Sequence, residues 1–153
     1  MGTMGTWATL RRMSNLVRSS LTYVPLRQTA VELAVSLYYV DALDTVRAIR
    51  QWVCSHYRLI GECDEMLVAP EYQIDEINHK GYFAGDCDDC AMLVAALLAS
   101  IGIPVRFRAI KITDTEFEHV FTEARIRGVW YPVDPTVPER TVIQGRKSMV
   151  VSI

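Results

Sequence analysis

Apolar positions recur every three to four residues through the first two thirds of the chain, then every two residues over much of the remainder. In residues 9–18, Leu10, Met13 and Val17 share one face, with Arg11, Asn15 and Arg18 opposite, which predicts an amphipathic helix. A second is expected over 26–38, with Val31, Ala34, Val35, Leu37 and Tyr38 inward and Pro25 suiting its first turn. A third should start near Asp41, with Leu43, Val46, Ile49 and Val53 inward, Asp44, Arg47 and Arg50 outward, and an exit at Tyr57 to Leu59. Residues 62–69 read as an irregular connection. Pro70-Glu71 then opens a short helix through Ile74 and Ile77 that stops before Gly81. The next helix, from about Cys87 to Ile101, is apolar almost all round and should be buried; Gly102 and Pro104 end it. Beyond it, 105–109, 117–126 and 129–133 alternate as strands, with Arg127-Gly128 as a hairpin turn.

Helices followed by a small antiparallel sheet define an α+β fold, with the buried helix that carries Cys87 packed on the sheet. At 153 residues the chain suits one domain: a helical part over 1–60, a core over 61–140 and a tail over 141–153. A formal charge of −2 gives no basic footprint for nucleic acid or for a membrane surface. No apolar run approaches the ~18 residues a spanning helix requires. Residues 1–7 lack a basic segment followed by an apolar one, so secretion through a signal peptide is not expected, and Gly2 with Thr6 fits an acylation pattern only loosely. The cysteines Cys54, Cys63, Cys87 and Cys90 read as free thiols in a reducing compartment.

The chemistry concentrates at Gly85-Asp86-Cys87-Asp88-Asp89. A cysteine in the first turn of a helix lies near free N–H groups and the positive end of the helix dipole, where a thiol pKa falls. Asp86, Asp88 and Asp89 push the other way. Cys87 is the candidate nucleophile; it needs a base, and the base needs an orienter. If Arg127-Gly128 is a two-residue loop, Ile126 pairs with Val129 and Phe121 faces Asp134. His119 is then diagonal to Asp134 on the same face, whereas a four-residue loop would set the two directly opposite; either register puts them within roughly 5–8 Å at Cβ. A one-residue slip would send Asp134 to the other side of the sheet.

These three motifs, Gly85-Asp86-Cys87-Asp88-Asp89 with its Ala-rich helix, Glu118-His119-Val120, and Trp130-Tyr131-Pro132-Val133-Asp134-Pro135-Thr136, together resemble the transglutaminase-like superfamily. The resemblance implies a papain-like triad of Cys87, His119 and Asp134, a protein or peptide substrate, and neither cofactor nor metal. Residues 48–53 resemble a subset found in tailed phages and prophages, which implies a bacterial cytoplasmic or virion location and other virion subunits as partners. The bacterial and phage proteins it resembles look more like peptidases or amidases than cross-linkers. Acyl transfer also needs an oxyanion hole. The backbone N–H of Cys87 is one candidate donor, and Tyr82 and Gln73 are both candidates for the second.

Other readings compete. Cys87-x-x-Cys90 could be half a zinc site, but the spacing of Cys54 and Cys63 suits no knuckle, and Cys90 reads more simply as a small core residue. His56 and His79 read as surface residues. Arg106 and Arg108, alternating with Val105 and Phe107, read as a solvated face. The strongest rival is a non-catalytic virion head, neck or tail protein that keeps the fold as an interaction module.

Overall fold

The structure, a computed structural model, describes residues 3–35, 41–61, 66–113, 116–139, 141, 143, 145 and 147–153. Helix α1 (Thr3–Ser20) buries Leu10, Met13 and Val17, the face its periodicity marks. Helix α2 (Val24–Val35) begins with Pro25 in its first turn. Its core residues are Leu26 and Ala30, and Val31 is 42 % exposed. The expected inward set is therefore rotated; Leu37 and Tyr38 lie outside the described residues. Helix α3 (Ala42–His56) is capped by Asp41, whose carboxylate accepts from the Leu43 N–H, and it buries Val46, Ile49 and Val53 as expected.

Strand β1 (Tyr57–Leu59) follows without a break. It pairs in parallel with β2 (Phe83–Gly85), and helix α4 (Pro70–Lys80) makes the crossover between them. Gly81, at φ 86°, closes α4 by returning its N–H to Ile77 O. Strand β2 delivers the chain to helix α5 (Cys87–Ser100), in which every residue from Asp89 to Leu98 is buried. This explains the apolar pattern without a polar stripe: α1 to α4 cover part of α5 and a sheet covers the rest.

That sheet is antiparallel with order β5-β4-β3-β6, built from β3 (Val105–Lys111), β4 (His119–Ile126), β5 (Val129–Val133) and β6 (Lys147–Ser152). Thr122 Oγ1 donates to Ala91 O at 2.7 Å and pins β4 to the middle of α5. The β4–β5 hairpin turns on two residues in the left-handed region, Arg127 at φ 52° and Gly128 at φ 82°. Ile126 pairs with Val129, which decides between the two registers the sequence left open in favour of the two-residue loop. Strand β6, in a stretch read as tail, completes the sheet along β3, with Phe107 opposite Val151. On the outer sheet face, Arg106 and Arg108 are not simply solvated: their Nε atoms donate to the two oxygens of buried Glu123 at 2.5 and 2.7 Å.

Candidate active site

Cys87 is the first residue of α5, and its position is set by a crowded approach. A Cβ on Gly85 would lie 2.6 Å from the Phe83 ring and 2.8 Å from Asp89 Oδ2, and it would also strike the Tyr57 hydroxyl. Only glycine allows β2 to turn into the helix there. Asp86 caps the helix by accepting from the Asp89 N–H at 3.1 Å, and Tyr57 Oη donates to Asp86 O at 2.9 Å. Asp89 reaches back to accept from the Val68 N–H at 2.8 Å. Burial pushes the Asp89 carboxyl up to about 6, against the pull of that N–H.

The Cys87 thiol points at Asp88 Oδ1, 3.7 Å away. Burial, then the charge of Asp88, pushes its pKa up to about 12; the Val120 N–H at the sulfur offsets part of the rise. The expected fall in thiol pKa is thus reversed, because a part-buried sulfur among carboxylates outweighs a helix N-terminus. Val120 has its N–H to offer because β5 stops pairing with β4 at Thr122 and Val133, two residues short of it.

His119 opens β4, and Asp134 is the residue after β5. Their side chains meet: His119 Nε2 lies 2.6 Å from Asp134 Oδ2. An ionised carboxylate can only accept, so Nε2 carries the proton and Nδ1 of the neutral ring keeps its lone pair. Asp134 Oδ1 accepts from Thr136 N–H at 2.9 Å and from Thr136 Oγ1 at 2.6 Å. Burial pushes the Asp134 carboxyl up, but the bonds from His119 and Thr136 prevail and hold it below its ordinary value. Arg50, expected to point outward, instead spans from α3: its Nε donates to Asp134 O at 3.2 Å and its guanidinium also donates to Val137 O. Thr136 was visible only as the last residue of the motif that carries Asp134. Arg50 had no signal beyond its charge.

Cys87, His119 and Val120 line one cavity of about 100 Å³, with Asp86, Asp88, Ala109, Phe117 and Glu118 around them and Thr6, Thr9, Leu10 and Met13 of α1 opposite. Gln73 and Tyr82 do not line it. The Gln73 amide nitrogen donates to Val68 O and Asp89 O at 2.8 and 3.1 Å. The Tyr82 ring lies under the Arg58 guanidinium, 3.6 Å from its centroid. Cys90 is buried, Cys54 is exposed, and Cys63 lies outside the described residues. Among the described residues no three His, Cys, Asp or Glu side chains converge as a metal site, and no helix is long and apolar enough to cross a membrane.

The chain is similar to a candidate cysteine protease of Cytophaga hutchinsonii at 26 % identity and a TM-score of 0.56, over 72 % of this chain and 36 % of that one. It is also similar to a candidate protease of Parabacteroides distasonis, at 16 % identity and a TM-score of 0.69, over 95 % of this chain and 29 % of that one. It thus spans about a third of the length of each of these proteins. No curated protein matches it. The model of the Transglutaminase-like superfamily matches residues 29–135, a span that takes in α3, α4, α5 and the β3–β5 sheet. With well over half of the chain inside that match, including α5 and the β4–β5 hairpin, the chain belongs to the transglutaminase-like superfamily.

Proposed function

We propose that the protein is a cysteine acyl-transfer enzyme that hydrolyses a peptide or carboxamide bond through Cys87, His119 and Asp134. The observation that carries this reading is the 2.6 Å His119–Asp134 bond beside a cavity that Cys87 also lines. Burial and the charge of Asp88 push the Cys87 thiol pKa up, so this reading starts the attack from the thiol rather than from a preformed thiolate. The proton moves to His119 Nδ1 as the sulfur attacks the carbonyl carbon. The C–N bond then breaks, the imidazolium returns that proton to the departing amine, and a thioester remains on Cys87. Water, deprotonated by His119, releases the carboxylic acid and the free thiol. Asp134 fixes the imidazole and stabilises its cationic form. The Cys87 N–H at the start of α5 serves the developing oxyanion. Gln73, with its amide nitrogen engaged by two carbonyls, is a poorer second donor than it looked in the sequence.

We take the substrate to be a protein or peptide and the acceptor to be water, because one similar chain is named a candidate cysteine protease. The virion-module reading draws nothing from the bonded His–Asp pair. The test is to incubate the protein with a peptide-amide library, quench in acid, and look for a covalent mass increase on Cys87. A thioester adduct that His119→Ala abolishes is the expected result. Absence of both adduct and product across the library would overturn the proposal.

A further inference from the structure

One wall of the cavity that holds Cys87 and His119 comes from α1. Thr6, Thr9, Leu10 and Met13 line it, and their spacing puts all four on one face of the helix. The wall is fixed. Leu10 and Val17 are 2 % and 0 % exposed, Met13 is 0 % exposed, and Ser14 Oγ donates to Ser152 O on β6. At the far end Ser20 Oγ donates to Glu71 Oε2 at 2.6 Å, tying α1 to α4. Helix α1 therefore cannot swing aside without opening the core. The space it leaves, about 100 Å³, is well below the roughly 300–1,000 Å³ of pockets that take drug-sized ligands.

We propose that α1 sets the acyl selectivity of Cys87, with Met13 and Thr9 as the residues that limit the size of the group able to reach the sulfur. The inference rests on Cys87 being the acylated residue, yet the size limit is readable without any turnover. Met13 is a long unbranched side chain buried in the wall that borders the cavity, so truncating it opens space there. Thr9 is half-buried at the same wall, so a larger side chain there fills the space without entering the core. Thr6 and Leu10 complete the face and close the gaps between them.

The experiment compares iodoacetamide with its N-phenyl analogue, iodoacetanilide, on the intact protein, with each adduct located by peptide mass spectrometry. Exposed Cys54 is the internal reference for intrinsic reactivity, and buried Cys90 reports loss of the fold. The iodoacetanilide-to-iodoacetamide rate ratio should be at least about 10-fold lower at Cys87 than at Cys54, the scale on which a tight pocket discriminates. Met13→Ala should bring the two ratios within about 3-fold of each other, and Thr9→Trp should slow iodoacetamide at Cys87 by about 10-fold while sparing Cys54. If Met13→Ala also exposes Cys90, the Thr9→Trp result decides. Equal ratios at the two cysteines in the unaltered protein, or no slowing in Thr9→Trp, overturn the proposal. Failure of the proposed chemistry reads differently: iodoacetamide would then react with Cys87 at the same rate with and without His119.

Discussion

The two ends of the site are prepared in opposite ways. At the acid end, Asp134 receives bonds from His119 and from both donors of Thr136, and its pKa is held down despite burial. At the cysteine end, Cys87 meets burial and Asp88, and its pKa is driven up to about 12. One end favours the charged form of its group, and the other favours the neutral form. In the proposed mechanism, charge develops on the sulfur only as the imidazole receives the proton, and the fixed carboxylate is the group that meets the new cation.

Breaking the prepared end should cost the most. Asp134→Ala leaves the imidazole free to rotate and to choose either tautomer, and should lower kcat by about 10³-fold in a peptide-amide assay. Asp134→Asn should be nearly as severe, since its amide can present a donor to Nε2 and favour the wrong tautomer. Activity within about threefold of the unaltered enzyme would show that the hydrogen-bonded pair is structural only. The same pair has a pH signature. Because the Asp134 pKa is depressed in the folded protein, its stabilising effect is complete above the ordinary carboxylate value and disappears as pH falls through the depressed one.

Relieving the other end tests the comparison from the opposite side. Asp88→Asn removes the largest charge acting on the thiol while keeping its shape. Alkylation of Cys87 by iodoacetamide at pH 8 should quicken by about tenfold, the equivalent of about one pKa unit. An unchanged pH–rate curve would mean that burial alone sets the thiol pKa.

Arg50 sharpens the contrast, since it holds the segment on which the prepared end is built. Arg50→Met leaves Asp134 O and Val137 O without their donor, and should cost about 1–2 kcal/mol of stability in urea titration. The loosened carboxylate should lower kcat by about fivefold, with Arg50→Lys between the two. A stability loss with kcat untouched would separate the anchor from the chemistry.

What the sequence disclosed, and what it withheld, follows the range of the forces involved. The two-residue turn, the diagonal of His119 on Asp134 and the burial of α5 follow from local pattern: period, a glycine at positive φ, and an apolar surface with no polar stripe. Strand β6 was not legible, because the pairing of Phe107 with Val151 depends on a return of the chain across more than forty residues. The rotation of α2, with Leu26 rather than Val31 in the core, is decided by what packs on it. Arg50 looked like any outward arginine on an amphipathic helix, and its role exists only once residues 134–137 arrive beside α3. The thiol pKa went the other way for the same reason: a helix N-terminus is visible in sequence, and the depth at which it is buried is not.

The smallest effect concerns Asp89, the third carboxylate of the cluster, which lies behind the nucleophile. Its pKa of about 6 is raised above the ordinary value, so the folded state holds that proton more tightly than the unfolded chain does. Stability on this account is full near pH 4 and declines as pH rises through about 6. Asp89→Asn keeps an oxygen for the Val68 N–H and removes the ionisation. It should therefore be the more stable protein at pH 8, by about 1 kcal/mol after allowance for screening, with the advantage vanishing near pH 4. Parallel urea titrations at the two pH values measure the difference directly. An advantage that persists at pH 4 would assign it to packing, and a loss at both would mean that the charge itself holds residue 68 against the helix. In either case the tension between charge and burial would be confined to Cys87 and Asp88, rather than shared by the whole acidic turn that begins α5.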